Sequence, residues 1–184
     1  MHQLAPQTVD SAPEASKQLL RELQASVGFL PNLAAAMANS PQLLRGFLAV
    51  RDIYQGGSFT PSQIQVLSLT AAYENDCAWC VAFHTFMALK EGVSSDSVLA
   101  LRAGRSPIEP ELAALSNFAR KMVRARGAVG AEDRAAFLAA GYTPAQALEV
   151  VLGMAFSLMA NYAGHLADAP LDKPFAPHAW KRPA

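Results

Sequence analysis

The chain has 184 residues, 52% of them hydrophobic and 16% charged, and its fifteen basic and fifteen acidic side chains cancel to a formal net charge of zero. That length fits one ordinary domain able to bury its own core, and the composition excludes intrinsic disorder and the basic excess of a nucleic-acid-binding surface. Two cysteines exclude a secreted disulfide framework.

No run of roughly 18 apolar residues suggests a membrane span, and no signal-peptide pattern opens the chain, so the expected location is the cytoplasm. In that reducing compartment a close cysteine pair is redox-active or metal-binding rather than structural. A charge-poor, apolar composition also predicts that part of the surface is covered by further copies of the chain.

In chain order, residues 1–11 read as an irregular arm. A helix follows from about Pro13 to Gln24 and stops before Gly28. Phe29-Leu30-Pro31-Asn32-Leu33 opens a short helix ending near Asn39. Ser40-Pro41 opens the next, with Ser at the N-cap and Pro at the first helical position. Leu43, Leu44, Phe47, Leu48 and Ile53 form its apolar stripe, and Gly56-Gly57 ends it.

Thr60-Pro61-Ser62-Gln63 carries the full signature of a capped helix start. The helix it opens is apolar through Ala72, and Asn75-Asp76 breaks it and starts a second one at the cysteines. That helix runs to Gly92. Ser94 or Ser95 caps a short helix ending near Gly104, and longer and shorter helices cover about Glu109–Arg126 and Ala131–Ala140. Thr143-Pro144-Ala145-Gln146 repeats the earlier start signal 83 residues on, which predicts a duplicated helical hairpin with cysteines in one copy only. Residues 169–184 hold four prolines and read as an extended tail on the surface. With 36 alanines and no hairpin-turn or alternating pattern, the expected fold class is all-α in a single domain, residues 1–184.

One cluster carries chemistry: Tyr73-Glu74-Asn75-Asp76-Cys77-Ala78-Trp79-Cys80-Val81-Ala82-Phe83-His84. On a regular helix, Cys80 and His84 lie about 40° apart and Cys77 and His84 about 20° apart, so all three share one face. A helix N-terminus and a nearby histidine both favour a thiolate, and a second thiol can resolve a sulfenic acid into a disulfide. His84 is placed to take and return a proton, with Glu74 as the local carboxylate to orient it. Trp79, Tyr73, Phe83 and Phe86 read as core. His165 reads as a structural histidine, His2 and His178 as residues of the arms, and Arg102, Arg105, Arg120, Arg124 and Arg126 as solvated faces or interface pairs.

A zinc site on Cys77, Cys80 and His84 would need His165 or Glu74 as fourth ligand. A thioredoxin-type site would need a preceding strand, whereas an apolar helix precedes these cysteines. The residues call for no cofactor and no metal.

The pattern Glu74-Asn75-x-Cys77-x-Trp79-Cys80-x-x-x-His84 resembles the alkylhydroperoxidase AhpD-like branch of the carboxymuconolactone decarboxylase superfamily, and within it the peroxidase-related members. Leu30-Pro31-Asn32-Leu33, Ser40-Pro41 and Asn161 extend the resemblance over residues 28–170. It implies an orthogonal helical bundle built from a duplicated hairpin and a homo-oligomer, trimer or hexamer. It implies thiol-dependent reduction of a hydroperoxide, with electrons from a dithiol donor, of thioredoxin or lipoyl type; composition and charge suggest no membrane or nucleic-acid partner.

The catalytic residues it implies are Cys77, Cys80 and His84. Histidine proximity and the family relay favour Cys80 as the attacking thiol and Cys77 as the resolving one, whereas the helix dipole favours Cys77. The family's relay glutamate, twelve residues before the first cysteine, is here Gln65. An amide does not titrate, and on a straight helix it would lie about 18 Å from Cys77. Gln65 joins the site only if the chain folds back at Asn75-Asp76, and Glu74 is the substitute carboxylate. Loss of the carboxylate also leaves two other readings: a non-catalytic redox-sensing or disulfide-exchange subunit, and a zinc-stabilised structural module.

Overall fold

A computed structural model describes residues 4–183; His2 lies outside them. Nine α-helices follow one another, with no strand among the described residues: α1 (Glu14–Val27), α2 (Asn32–Met37), α3 (Pro41–Gln55), α4 (Pro61–Glu74), α5 (Ala78–Lys90), α6 (Ser95–Arg102), α7 (Pro110–Arg124), α8 (Ala131–Ala139) and α9 (Pro144–Ala167). A 3₁₀ segment, Lys173–His178, closes the chain.

The start signals act as the sequence predicts. Ser40 accepts a hydrogen bond from the Leu43 backbone N–H, Ser94 caps α6, and both Thr-Pro-x-Gln sequences close full capping boxes. Each cap satisfies backbone donors that the first helical turn leaves unpaired. α1 runs one turn further than its polar sequence suggests, to Val27, and ends where Gly28 takes a left-handed conformation at φ 86°.

α4 organises the molecule. Every residue from Gln63 to Ala72 is buried, so this helix has no solvent face over ten residues. It packs against α5, α6, α7 and α9. Val66, Leu69 and Ala72 point into one apolar cluster with Leu20, Leu33, Leu44, Val81 and Leu101; Cys77 and Cys80 belong to that cluster. Ile64 and Leu67 point into a second, with Tyr54, Leu115, Phe118, Phe137, Val150 and Phe156. Phe118, Phe137 and Tyr142 stack in series there, at centroid distances of 4.3 and 4.4 Å. Full burial of side chains of this size is worth about 1.5–3 kcal/mol each, which offsets the ordering cost of an alanine-rich chain.

α9 approaches closely because Gly153 has no side chain: a Cβ there would lie 2.9 Å from both Leu67 Cδ2 and Tyr54 Cζ. Among the described residues α9 is the one helix long and apolar enough to resemble a membrane span, and 39% of that stretch is buried within the fold.

Two expectations are corrected. The repeat does not extend to a second hairpin. The first copy breaks at Asn75-Asp76 into α4 and α5, whereas the second runs unbroken from Pro144 to Ala167. The proline-rich tail lies along the surface as expected but is not extended throughout, since Lys173–His178 form a 3₁₀ turn. Phe175 in its 3₁₀ segment is 2% exposed and lies among Phe29, Trp79, Phe83 and Phe86. Apolar burial of that one ring outweighs the extended preference of the surrounding prolines.

Candidate active site

The site is made by a reversal of the chain. α4 ends on Glu74, Asn75 follows as its C-cap, and Asp76 takes a left-handed conformation at φ 56°. Aspartate is among the few non-glycine residues that adopt it readily. The fold-back sets α5 antiparallel to α4 and brings Gln65 against His84, nineteen residues on. The distance between Gln65 and the cysteines along a straight helix therefore does not apply.

Cys77 is the N-cap of α5, with non-helical φ −86° and ψ 96°. It is thus not on the helical face shared by Cys80 and His84, as a continuous helix would have it. Its Sγ accepts from the Cys80 backbone N–H at 3.4 Å and stands 2.6 Å from the Cys80 Sγ, in hydrogen-bond contact. Both thiols are free and buried.

The two sulfurs have opposite electrostatics. The Cys80 thiol, followed by the backbone N–H groups of Cys80 and Trp79, pulls the Cys77 thiol below its ordinary value against the effect of burial. Burial comes first in pushing Cys80 well up, and the hydrogen bond and charge of Cys77 push it further. Between the two, the surroundings favour the anion more at Cys77, at the positive end of the α5 dipole.

α9 closes the site from the other side. Asn161 is buried; its Oδ1 accepts from Asn75 Nδ2 at 2.8 Å, and its own amide stabilises the charged form of Cys80. One turn further along, Gly164 leaves room for the first cysteine: a Cβ there would lie 3.1 Å from Cys77 Sγ. The sequence flagged Asn161 only by resemblance and did not flag Gly164. Their spacing of three on an apolar helix was the available signal, and it became meaningful only once α9 packed on α5.

His84 Nδ1 lies 2.9 Å from Gln65 Oε1, which accepts a hydrogen bond from Nδ1–H. Burial holds the imidazole down to about 3, so it is neutral at physiological pH. Glu74, expected to orient this histidine, lies elsewhere. Its carboxylate accepts from Arg120 Nε at 3.0 Å and Arg124 Nε at 2.7 Å. A side chain at the last position of α4 points toward α7, and two guanidinium groups hold it there. Neither proposed fourth metal ligand joins the cysteines: Glu74 is held by these arginines, and His165 Nε2 donates to the Asn75 carbonyl at 2.7 Å. Among the described residues no group of three or more His, Cys, Asp or Glu side chains could hold a metal.

The aromatic neighbours form a half-buried shelf rather than core. Trp79 stacks on Phe83 at 5.4 Å, and Phe83 meets the His84 ring edge-on at 4.9 Å. Trp79 Nε1 donates to Asp172 Oδ2 at 3.0 Å, and Asp172 also accepts from the Asn32 backbone N–H. Arg102, expected on a solvated face, instead donates to Thr85 Oγ1 and to the His178 and Ala179 carbonyls. The C-terminal segment is thereby fastened over α5, and Asp172 is the residue of this layer that the sequence did not reveal.

The site is a buried pair of free thiols at a helix N-terminus within an all-helical fold. Residues 41–121 match the model of the carboxymuconolactone decarboxylase family. The fold is that of an alkylhydroperoxidase AhpD core, an uncharacterised peroxidase-related protein from Ralstonia eutropha JMP134, with TM-score 0.83 and 21% identity over 95% of this chain and 96% of the other. A peroxidase-related protein from Silicibacter sp. TM1040 is similar at TM-score 0.77 and 16% identity, over 94% of each chain. So is the debrominase Bmp8, in a cysteine-to-alanine form in complex with 2,3,4-tribromopyrrole, at TM-score 0.77 and 17% identity over 96% of this chain and 95% of that one. No curated protein is significantly similar in sequence. The chain thus has an AhpD-like fold, and its residues 41–121 are similar to the carboxymuconolactone decarboxylase family.

Proposed function

We propose that the protein is a thiol-dependent hydroperoxide reductase acting through Cys77, Cys80 and His84. The observation that carries this reading is the pair of free sulfurs 2.6 Å apart, one capping a helix and the other beneath it. The Cys77 thiolate attacks the terminal peroxide oxygen. The S–O bond forms, the O–O bond breaks, and the alkoxide leaves and takes up a proton as the alcohol. The Cys80 sulfur then attacks the Cys77 sulfenic sulfur; the S–S bond forms, the S–O bond breaks, and hydroxide leaves as water. A dithiol donor, of thioredoxin or lipoyl type, returns the disulfide to two thiols by exchange.

The cap geometry and the opposite pushes on the two thiols support Cys77 as the attacking residue, in place of the Cys80 that histidine proximity favours. One equivalent of cumene hydroperoxide, added to reduced metal-free protein, is expected to remove both thiols with a mass loss of two hydrogens. Unchanged thiols in folded protein would defeat the reading. Because a debrominase shares the fold, a brominated pyrrole is the second oxidant to offer in that assay.

A second reading, a redox-sensing or disulfide-exchange subunit without turnover, is favoured by the amide of Gln65 in contact with His84. It predicts the same disulfide but no sustained peroxide consumption with any dithiol.

A homo-oligomer belongs to the same proposal. The outer side of α9 exposes Leu148, Val151, Leu158, Tyr162 and Leu166 along one uncharged stripe, at 43–74% of their surface. A second copy is its natural cover. Light scattering giving a stable monomer at micromolar concentration would refute this, and a trimer or hexamer is the expected state. The cytoplasm remains the proposed location.

A further inference from the structure

We propose that the C-terminal segment, residues 169–183, is a gate: its release from the outer face of α5 is the opening through which a dithiol or disulfide reactant reaches Cys77 and Cys80. The functional meaning rests on the hydroperoxide-reductase reading, in which a dithiol donor must reach the oxidised pair. The gate itself is read with a thiol probe and no peroxide.

The first argument is access. Cys77 is 2% exposed and Cys80 1%. Thiol–disulfide exchange requires an incoming sulfur to meet one of these two directly, so a reactant bulkier than a peroxide enters only if a neighbouring element moves. The helices around the pair are firmly held. α4 is buried at every residue from Gln63 to Ala72, and α2 at every residue from Leu33 to Met37. α9 runs unbroken from Pro144 to Ala167, with Gly164 closed against Cys77. Moving any of the three opens the apolar core. The C-terminal segment is different. Of residues 169–183 only Asp172 and Phe175 are buried, and its one regular piece is the short 3₁₀ turn. Segments with few buried apolar contacts open at a lower cost than the core does.

The second argument is where the segment is fastened. Its links fall beside the thiol pair and between its two members. Arg182 Nε donates at 3.0 Å to Oδ1 of Asp76, the residue before Cys77. Asp172 Oδ2 accepts at 3.0 Å from the indole N–H of Trp79, the residue between the cysteines. Phe175 packs on Trp79 at 5.7 Å and on Phe83 at 5.1 Å. Farther on, Arg102 donates to the His178 and Ala179 carbonyls, and Trp180 Nε1 donates to the Arg102 carbonyl. Apart from the Phe175 ring, these ties are single polar contacts at a partly exposed surface, which break and re-form without unpacking α4. Detaching Asp172 and Phe175 frees the outer face of α5 from Trp79 to Phe86, the face adjoining the thiols.

The experiment has two arms on the full, reduced chain. In the first, amide hydrogen exchange compares Phe175 and Ala179, whose N–H groups bond within the segment, with the amides of α4. The segment is expected to exchange through an opening that leaves α4 protected. Exchange of both together, in global unfolding only, would overturn the gate. In the second arm 4,4′-dithiodipyridine is the probe. One protein thiol attacks its disulfide, the other displaces the mixed disulfide, and two thiopyridones leave as Cys77–Cys80 closes. Phe175→Ala and Asp172→Ala are each expected to speed that release about tenfold or more, by raising the population of the open form. Phe137→Leu, a change in the second apolar cluster, lowers global stability without touching the segment and should leave the rate within about twofold of wild type. Should Phe175→Ala not fold, Arg182→Gln removes an exposed tie and is expected to give a smaller acceleration in the same direction. Unchanged rates in the segment variants, or an equal acceleration in Phe137→Leu, refute the gate. Wild type that reacts with the probe but loses no thiol to hydroperoxide defeats the reductase reading and leaves the gate standing.

Discussion

α4 and α9 begin alike and end differently. Each opens with Thr-Pro-x-Gln and closes a capping box, and each continues as an apolar helix with little charge. α4 stops after fourteen residues and the chain turns back through Asp76, whereas α9 continues for twenty-four. At an offset of 83 residues Cys77 corresponds to Ala160 and Cys80 to Ala163, both inside the uninterrupted helix. A sulfur at Ala160 would meet no free backbone N–H, because every amide there is already bonded within the helix. Breaking a helix therefore sets the surroundings of the thiol pair: it supplies unpaired donors and a dipole end to one sulfur. The unbroken helix instead supplies a wall, with Asn161 and Gly164 facing the cysteines.

The largest effect expected from erasing this difference is on activity. Cys77→Ser should abolish peroxide-driven thiol loss. Cys80→Ser should form one trapped sulfenate at Cys77 and turn over no further, as intact mass after dimedone treatment would reveal. A sulfenate found only at Cys80 would reverse the roles and make the helix cap irrelevant to nucleophilicity.

The next largest is the acid stability of the α4–α5 half. His84 is neutral in the fold, held to about 3 from an ordinary 6.5, so the unfolded chain binds a proton that the native state refuses. This stability is complete above the unfolded value and is lost as the pH falls through it, levelling off only near the folded value. Between pH 7 and pH 4 the loss is about 3 kcal/mol. Denaturant unfolding at both pH values should show that gap in wild type and a gap smaller by about this amount in His84→Gln.

A smaller effect belongs to the turn itself. Asp76→Ala places a less tolerant residue at φ 56° and removes the partner of Arg182, for a cost of about 1–2 kcal/mol. Asp76→Gly should recover most of it, because glycine accepts that conformation. Thermal melts of the two variants separate strain from charge.

Smallest, and the control for the comparison, are the caps. Thr60→Ala and Thr143→Ala should each cost about 1 kcal/mol in chemical denaturation. Only Thr60→Ala, whose helix carries Gln65, should also alter the rate of thiol oxidation.

Much of this was readable along the chain. Ser40, Thr60, Ser94 and Thr143 announce their helices by local hydrogen bonds that depend on nothing distant, and the structure keeps all four. The break at Asn75-Asp76 was legible for the same reason, and Cys77, Cys80 and His84 stood out by residue type and spacing. Glu74 misled because adjacency in sequence says little about direction at a helix end. Trp79, Phe83 and Phe86 read as core because aromatic residues usually are, but here they meet a C-terminal segment whose prolines gave no sign of docking.

By itself, the sequence determined the helices, their caps, the position of the break and the identity of the thiol pair, all of which follow from interactions among residues close in the chain. The tertiary structure alone decided that Gln65 faces His84, that Asn161 and Gly164 face the cysteines, that Glu74 is held by arginines of α7, and that Phe175 packs on Trp79 and Phe83. Those pairings join side chains from separate helices, and helix packing sets them by burying apolar surface that no local pattern assigns to a particular neighbour.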